Sequence, residues 1–270
     1  TLPVIVTRIQ EVAADSGSGA HELGEVVAQD QATSAKVLNL ANSAFYGFAR
    51  KISTVRQAVV VLGFDTIRSL ALSVSVYETF SESAGRDSFD REAFWMHSIG
   101  CGTAARLIAK VLGFRDGGTF FSAGLLHDMG KMVLDMHFNE DYSKVVQMLN
   151  SGGYSAYAVE RNLLETDHAE VGGWLATWWK FPETLVNPIA YHHSPLDAHE
   201  DHIREAMVVH LANIIAKRAD VGLCYETEIP EPDEAVISFF EITPEQIAKV
   251  EEGLEEDRES IYEFFSQLTG

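Results

Sequence analysis

The stretch FDREAFWMHSIGCGTAARLIAKVLG, Phe89 to Gly113, reads as one long helix closed by a glycine. It decides the fold class because nothing elsewhere competes with it. Almost every other segment shares its helical spacing, and no stretch alternates apolar and polar residues long enough to make a strand. The expectation is an all-α protein. Upstream, residues 3 to 13 and 21 to 29 look like two short helices joined by the flexible DSGSG turn. In DQATSAKVLNLANSAFYG, Asp30 is placed to cap a helix whose apolar stripe is Ala35, Val37, Leu38, Leu40 and Ala41, and Gly47 to close it. Thr54 and Gln57 have capping-box spacing, Gly63 separates two helices, and Asp65 is placed to cap the second.

Downstream, TFFSAGLLHDMGKMVLDM leads into helices expected near 139 to 150, 154 to 164, 167 to 179, 183 to 192 and 201 to 218. Shorter ones follow near 234 to 240, 244 to 252 and 256 to 267. Trp174, Trp178 and Trp179 continue the helical spacing from His168 and are expected in the core. The polar, glycine-containing SESAGRDS, residues 81 to 88, has no periodicity and marks a boundary. The expected organisation is therefore a helical subdomain over 1–82, a second over 88–222 and an acidic helical appendage over 226–270.

At 270 residues and 46% hydrophobic composition the chain can bury its own core. No run approaches the roughly 20 apolar residues that span a bilayer, so no membrane is expected as partner. The first residues lack a basic segment followed by a long apolar one, and Cys101 and Cys224 are too few and too far apart for a disulfide framework. Both observations fit a cytoplasmic protein with two buried cysteines. The start at Thr1 leads us to expect a further domain or a targeting segment upstream. Of the formal net charge of −20, residues 226–270 contribute −12, from 14 acidic and 2 basic side chains. Residues 1–90 hold seven Lys and Arg against ten Asp and Glu, which lacks the footprint of a nucleic-acid binder.

Ten histidines are present. Six residues stand out together: His97, the pair His127 and Asp128 in GLLHDMGK, His168, and the pair His192 and His193. Imidazole and carboxylate suit divalent transition metals, and a two-metal site needs a carboxylate that can bridge, a role open to Asp128. Adjacent residues on a helix point about 100° apart, so His192 and His193 are expected to serve two ions or different coordination positions. Each piece alone is weak: His97 in AFWMHSIG reads first as a buried core residue. The order H, HD, H, HH on successive helices, at intervals of 30, 40 and 24 residues, is what points to a metal. His21, His137, His199 and His202 sit in polar surroundings and are expected at the surface. His210 reads as core or as support for the site.

These residues resemble the HD superfamily of metal-dependent phosphohydrolases, and in particular its HDOD branch. The likeness runs through WMHS, AGLLHDMGK, DHAEVGGWLATWW and IAYHHSP, and in the first half through LNLANSAFYG and ISTVRQAVVVLGFDTIRSLAL. It extends to about residue 220. It implies that the second subdomain is an HD-type helical bundle in which His97, His127, Asp128, His168, His192 and His193 are metal ligands. Asn213 stands where the family's final Asp falls, and a neutral amide is a poorer ligand than a carboxylate. The position built on His97, His127 and Asp128 is therefore expected to be weakened, and the one on Asp128, His168, His192 and His193 to stay complete. Lys131 resembles the lysine that contacts a substrate phosphate in hydrolytic relatives, although by itself it reads as a surface lysine.

The resemblance implies one or two ions of iron, manganese, nickel or zinc. The cyclic di-guanylate phosphodiesterases of the HD-GYP type carry HHE and a GYP motif, whereas this chain reads YHHSPLDAHEDHI, so that activity is not expected. Two functions follow. The first is a regulatory signal-transduction module, acting through signalling protein partners such as an upstream receiver domain, or through a phosphate-containing small molecule. The alternative is a metal-dependent phosphohydrolase or phosphodiesterase.

Overall fold

The computed structural model describes residues 4–15, 18–48, 50–81, 90–115, 117–222 and 229–270. All but Ser81 of the expected boundary at 81–88 lies outside them, as do Thr1, Phe89, Cys224 and Glu226. The described residues are helical, with no strand. The chain resolves into two compact units, Thr1–Ser83 with Asp257–Gly270, and Ala84–Glu256.

The first unit opens with α1 (Val4–Ala14), α2 (Ala20–Ala28), α3 (Gln31–Ala41), α4 (Val55–Leu62) and α5 (Phe64–Ser81). Asp30 caps α3 by accepting from the Thr33 backbone N–H at 2.9 Å. The helix stops at Ala41, well before Gly47, because Asn42 turns its side chain back: its amide N–H group donates to the carbonyls of Leu38 and Ile52, and its Oδ1 accepts from Ile52 N. Thr54 caps α4 through Gln57 N, while the Gln57 side chain accepts from Ser53 N. Asp65 does not cap α5. The helix already begins at Phe64, with the Gly63 carbonyl accepting from Ile67 N, and Asp65 instead lies 3.2 Å from Arg68 one turn on. α5 is the central element, with Ile67, Leu70, Leu72 and Val74 fully buried. Its buried Ser73 and Ser75 satisfy their hydroxyls by donating to carbonyls four residues back.

The second unit holds α6 (Arg91–Val111), α7 (Gly117–Leu126), α8 (Met129–His137), α9 (Asn139–Asn150), α10 (Ala156–Leu164), α11 (His168–Trp178) and α12 (Glu183–Tyr191). A 3-10 turn at Pro195–Asp197, α13 (Ile203–Arg218), α14 (Glu234–Phe240) and α15 (Pro244–Glu256) complete it. The last helix, α16 (Arg258–Thr269), clusters with the first unit, where Lys36 Nζ donates to the Leu268 carbonyl. Of the described residues of the acidic segment, 229–256 thus cluster with the second unit and 257–270 with the first. The reason is visible in α16: Ile261, Phe264 and Leu268 are fully buried, and Phe264 meets the Phe45 ring edge-on at 5.3 Å.

α6 is the axis of the second unit, starting at Asp90, which accepts from Ala93 N. α7 crosses it at backbone contact, since a Cβ on Gly102 would lie 2.6 Å from the Phe121 carbonyl and one on Gly124 only 2.7 Å from Gly102 Cα. A partly buried ion pair, Arg91 to Asp135 at 3.3 Å, braces α6 against α8. Among the three tryptophans of the DHAEVGGWLATWW stretch, only Trp179 is buried. α11 buries the small face His168, Ala169, Gly172, Gly173 and Ala176, so Trp174 and Trp178, one stripe away, are 61% and 69% exposed.

Candidate metal centre

The apolar run holding GLLHDMGK breaks at its centre. α7 ends at Leu126 and α8 begins at Met129, so His127 and Asp128 occupy the corner between two helices and both are buried. There Asp128 turns its two oxygens in different directions. Oδ1 faces His168 Nε2 at 3.1 Å and His192 Nε2 at 3.6 Å; Oδ2 lies 3.4 Å from His127 Nε2 and accepts from Lys131 Nζ at 2.6 Å. One carboxylate thus addresses two clusters of imidazoles.

The first cluster is His168, His192 and His193, the second His97, His127 and Asp128; within each, ligand atoms lie within 4.8 Å of one another. His168 opens α11, and its Nε2 lies 2.9 Å from His193 Nε2 and 3.3 Å from His192 Nε2. Both adjacent histidines reach His168 from the end of α12, although His192 keeps right-handed helical backbone angles. In the second cluster the His97 and His127 rings meet with centroids 5.5 Å apart. Asn213, on α13, is buried, and its Oδ1 lies 3.1 Å from His97 Nε2.

The far side of each of three imidazoles is fixed. His127 Nδ1 donates to the Gly124 carbonyl at 2.7 Å, His192 Nδ1 to the Ile189 carbonyl at 3.0 Å, and His168 Nδ1 to Glu160 Oε2 at 2.5 Å. A proton on Nδ1 leaves Nε2 with its lone pair aimed inward, the usual way a fold orients histidine ligands. Burial holds His127 and His193 well below the ordinary histidine pKa and lowers His192 as well, which favours the neutral, metal-binding form. Burial also opposes charge on His168, but Glu160 and Asp128 outweigh it and raise that ring to about 9. For Asp128, burial is overcome by His127, Lys131 and His168, which hold its carboxyl well below the usual range.

A divalent cation fits this donor set. The Nε2 atoms of His192 and His193 crowd within 3.3 Å of that of His168, and the buried His127 Nε2 has no hydrogen-bond partner. A cation at such a point replaces lone-pair repulsion with coordination.

Sequence reasoning missed Glu160. It is fully buried on α10, accepts from both the ring and the backbone N–H of His168, and is touched by the Tyr142 hydroxyl at 3.2 Å. Next to Arg161 it looks like one more surface charge; its only signal is that it stands eight residues before a candidate ligand. Glu160→Gln is expected to lower metal affinity about 10- to 100-fold while the fold stays intact, measured by competition with a chromogenic chelator; an unchanged affinity would remove Glu160 from the site. Lys131 is not out in solvent: it pairs with Asp128 inside the site. His210 supports from behind, donating from Nδ1 to the His192 carbonyl at 2.9 Å and accepting from Asp233 N at 3.3 Å. His21, His137 and His199 are exposed, while His202 is half-buried.

The helical fold and the two-lobed His/Asp cluster define an all-α protein with a potential metal centre. The HDOD domain model matches residues 1–195, and the chain belongs to the HDOD family. It is similar to an HDOD domain protein of unknown function from Geobacter sulfurreducens, with 29% identity and a TM-score of 0.75 over 99% of this chain and 91% of that one. It is also similar to a proposed phosphohydrolase from Shewanella amazonensis, with 26% identity and a TM-score of 0.77 over 99% and 94% of the two chains. An uncharacterised protein of Treponema pallidum is 26% identical over 91% of this chain, which spans 46% of that relative's length. Among the described residues no helix is long and apolar enough to cross a membrane.

Proposed function

We propose that this chain is a regulatory HDOD module that holds one divalent transition-metal ion, iron, manganese, nickel or zinc, and acts through binding, with no efficient hydrolysis. His168, His192, His193 and Asp128 would hold the ion. His97 and His127 form the weaker half of the site. A divalent ion there would supply Lewis acidity and fixed positive charge. The protein's own contribution is orientation: Gly124, Ile189 and Glu160 hold three imidazoles with their lone pairs inward.

The observation that carries the reading is Asn213 against His97 at 3.1 Å. Hydrolysis by two ions needs both positions filled and charge-compensated, and here the second half meets a neutral amide where a carboxylate would balance an ion. Lys131 weakens that half further, because its ammonium already neutralises the Asp128 oxygen on that side. Signalling protein partners, among them a receiver or other regulatory domain on the same polypeptide, fit a domain that matches less than half of a longer relative. A second reading, a metal-dependent phosphohydrolase, draws on the complete histidine set and on the Shewanella amazonensis similarity.

Asn213→Asp separates the two. It is expected to raise metal content from about one ion per chain towards two and to bring phosphodiesterase activity above the wild-type background, read by elemental analysis beside a panel of phosphomonoesters and cyclic dinucleotides. A wild type that already hydrolyses one of these rapidly, and is unaffected by the substitution, overturns the regulatory reading.

A further inference from the structure

Beside His193 the second unit opens into a cleft of about 860 Å³, lined from α10, α11, α12 and the 3-10 turn. Its lining combines carboxylates, aromatic rings and the imidazoles of His193, His199 and His202. Four carboxylates line it against one guanidinium, and Arg161 is already paired with Asp167 at 2.7 Å. Glu170, Glu183 and Asp197 are left without a cationic partner among the lining residues. Glu170 accepts from the Thr166 hydroxyl and Glu183 from the Asn187 amide, which orients both groups and leaves their charge in place.

The remaining wall is aromatic. Tyr157 and Tyr191 contribute, and Trp174 lies on the lining while 61% exposed. A cleft lined by an indole and by carboxylates suits a flat cation: a guanidinium can stack on an aromatic ring and donate two parallel hydrogen bonds to a carboxylate, which an ammonium cannot do. The open cleft is also several times larger than one such group needs, leaving room for the flanking backbone. Trp178, one turn beyond Trp174 and 69% exposed, extends the apolar surface past the rim.

We infer that this cleft receives an arginine side chain from a segment of a partner protein. The inference rests on the reading of the chain as a binding module and does not require the metal.

The test is titration of the full chain, as purified with its metal, with a capped Gly-Gly-Arg-Gly-Gly peptide, followed by tryptophan fluorescence and calorimetry. Saturable, salt-sensitive binding is expected, weakened about tenfold by Trp174→Ala, whose exposed side chain can be removed without touching the core. Glu170→Gln combined with Glu183→Gln is expected to weaken it by at least as much, and the peptide with glutamate in place of arginine to show no binding. Cyclic di-guanylate binding in place of the arginine peptide would overturn the inference. So would free arginine binding as tightly as the peptide, which would make this a small-molecule site, or binding indifferent to Trp174→Ala. Metal content read on the same samples keeps this outcome separate from that of the metal site: peptide binding to metal-free protein supports the cleft whatever becomes of the ion.

Discussion

His168→Ala is expected to empty the site, taking metal from about one ion per chain to background in elemental analysis. The size of the effect follows from what one ring touches. Its Nε2 faces Asp128 Oδ1, His192 and His193, all within 3.3 Å, and its Nδ1 is held by Glu160. Removing it takes away a ligand of the proposed ion and strips the buried Glu160 of the ring N–H it accepts from, leaving the Tyr142 hydroxyl and the residue-168 backbone N–H. Leaving a buried acceptor one hydrogen bond short costs about 1–3 kcal/mol, so a lower thermal midpoint should accompany the metal loss. His168→Ala combined with Glu160→Leu separates the two effects: it removes the stranded charge, and should recover stability without recovering metal. A single variant that keeps stoichiometric metal would show that the ion, if present, is held elsewhere.

Gly130→Ala is expected to destabilise the fold that frames the site. α8 and α11 cross with their backbones in contact at this residue, and an added Cβ would fall 1.9 Å from the His168 carbonyl and 2.8 Å from Gly172 N. Neither neighbour is a side chain that can rotate away, so the helices must separate. Overpacking of this kind costs about 3 kcal/mol, out of a total stability of roughly 5–15 kcal/mol. The displacement also carries His168 away from Asp128, so metal should fall with stability. Urea denaturation checks the first expectation and elemental analysis the second; a midpoint within error of the wild type would contradict the close crossing.

These two residues differ in how far the sequence discloses them. His168 belongs to a pattern that survives without coordinates, because imidazoles in the order H, HD, H, HH on successive helices offer a ligand set before their packing is known. The fold gathers His97, His127, Asp128, His168, His192, His193 and Asn213 around the corner between α7 and α8. Gly130 carries no such mark: its role depends on how near a helix some 40 residues later approaches, which no local signal encodes. Glu160 is similar, since a glutamate beside Arg161 on a short helix looks like ordinary solvated charge until α10 is packed against α11. The helix ends show the same division. Asp30 and Thr54 act locally and are readable, whereas Asn42 ends α3 by bonding to Ile52, ten residues on, and the spacing of apolar residues cannot foretell that. Trp174 and Trp178 depart from the expected core for the complementary reason. Their spacing is helical, but α11 packs through its glycines and alanines, and size alone does not assign a tryptophan to the core.

One half of this His/Asp cluster is held to be a complete site for a single ion, and the other half is not. Elemental analysis of the wild-type protein, purified anaerobically without chelator, tests that claim most directly. The expected result is close to one transition-metal ion per chain; protein free of metal, or carrying two ions per chain, would contradict it.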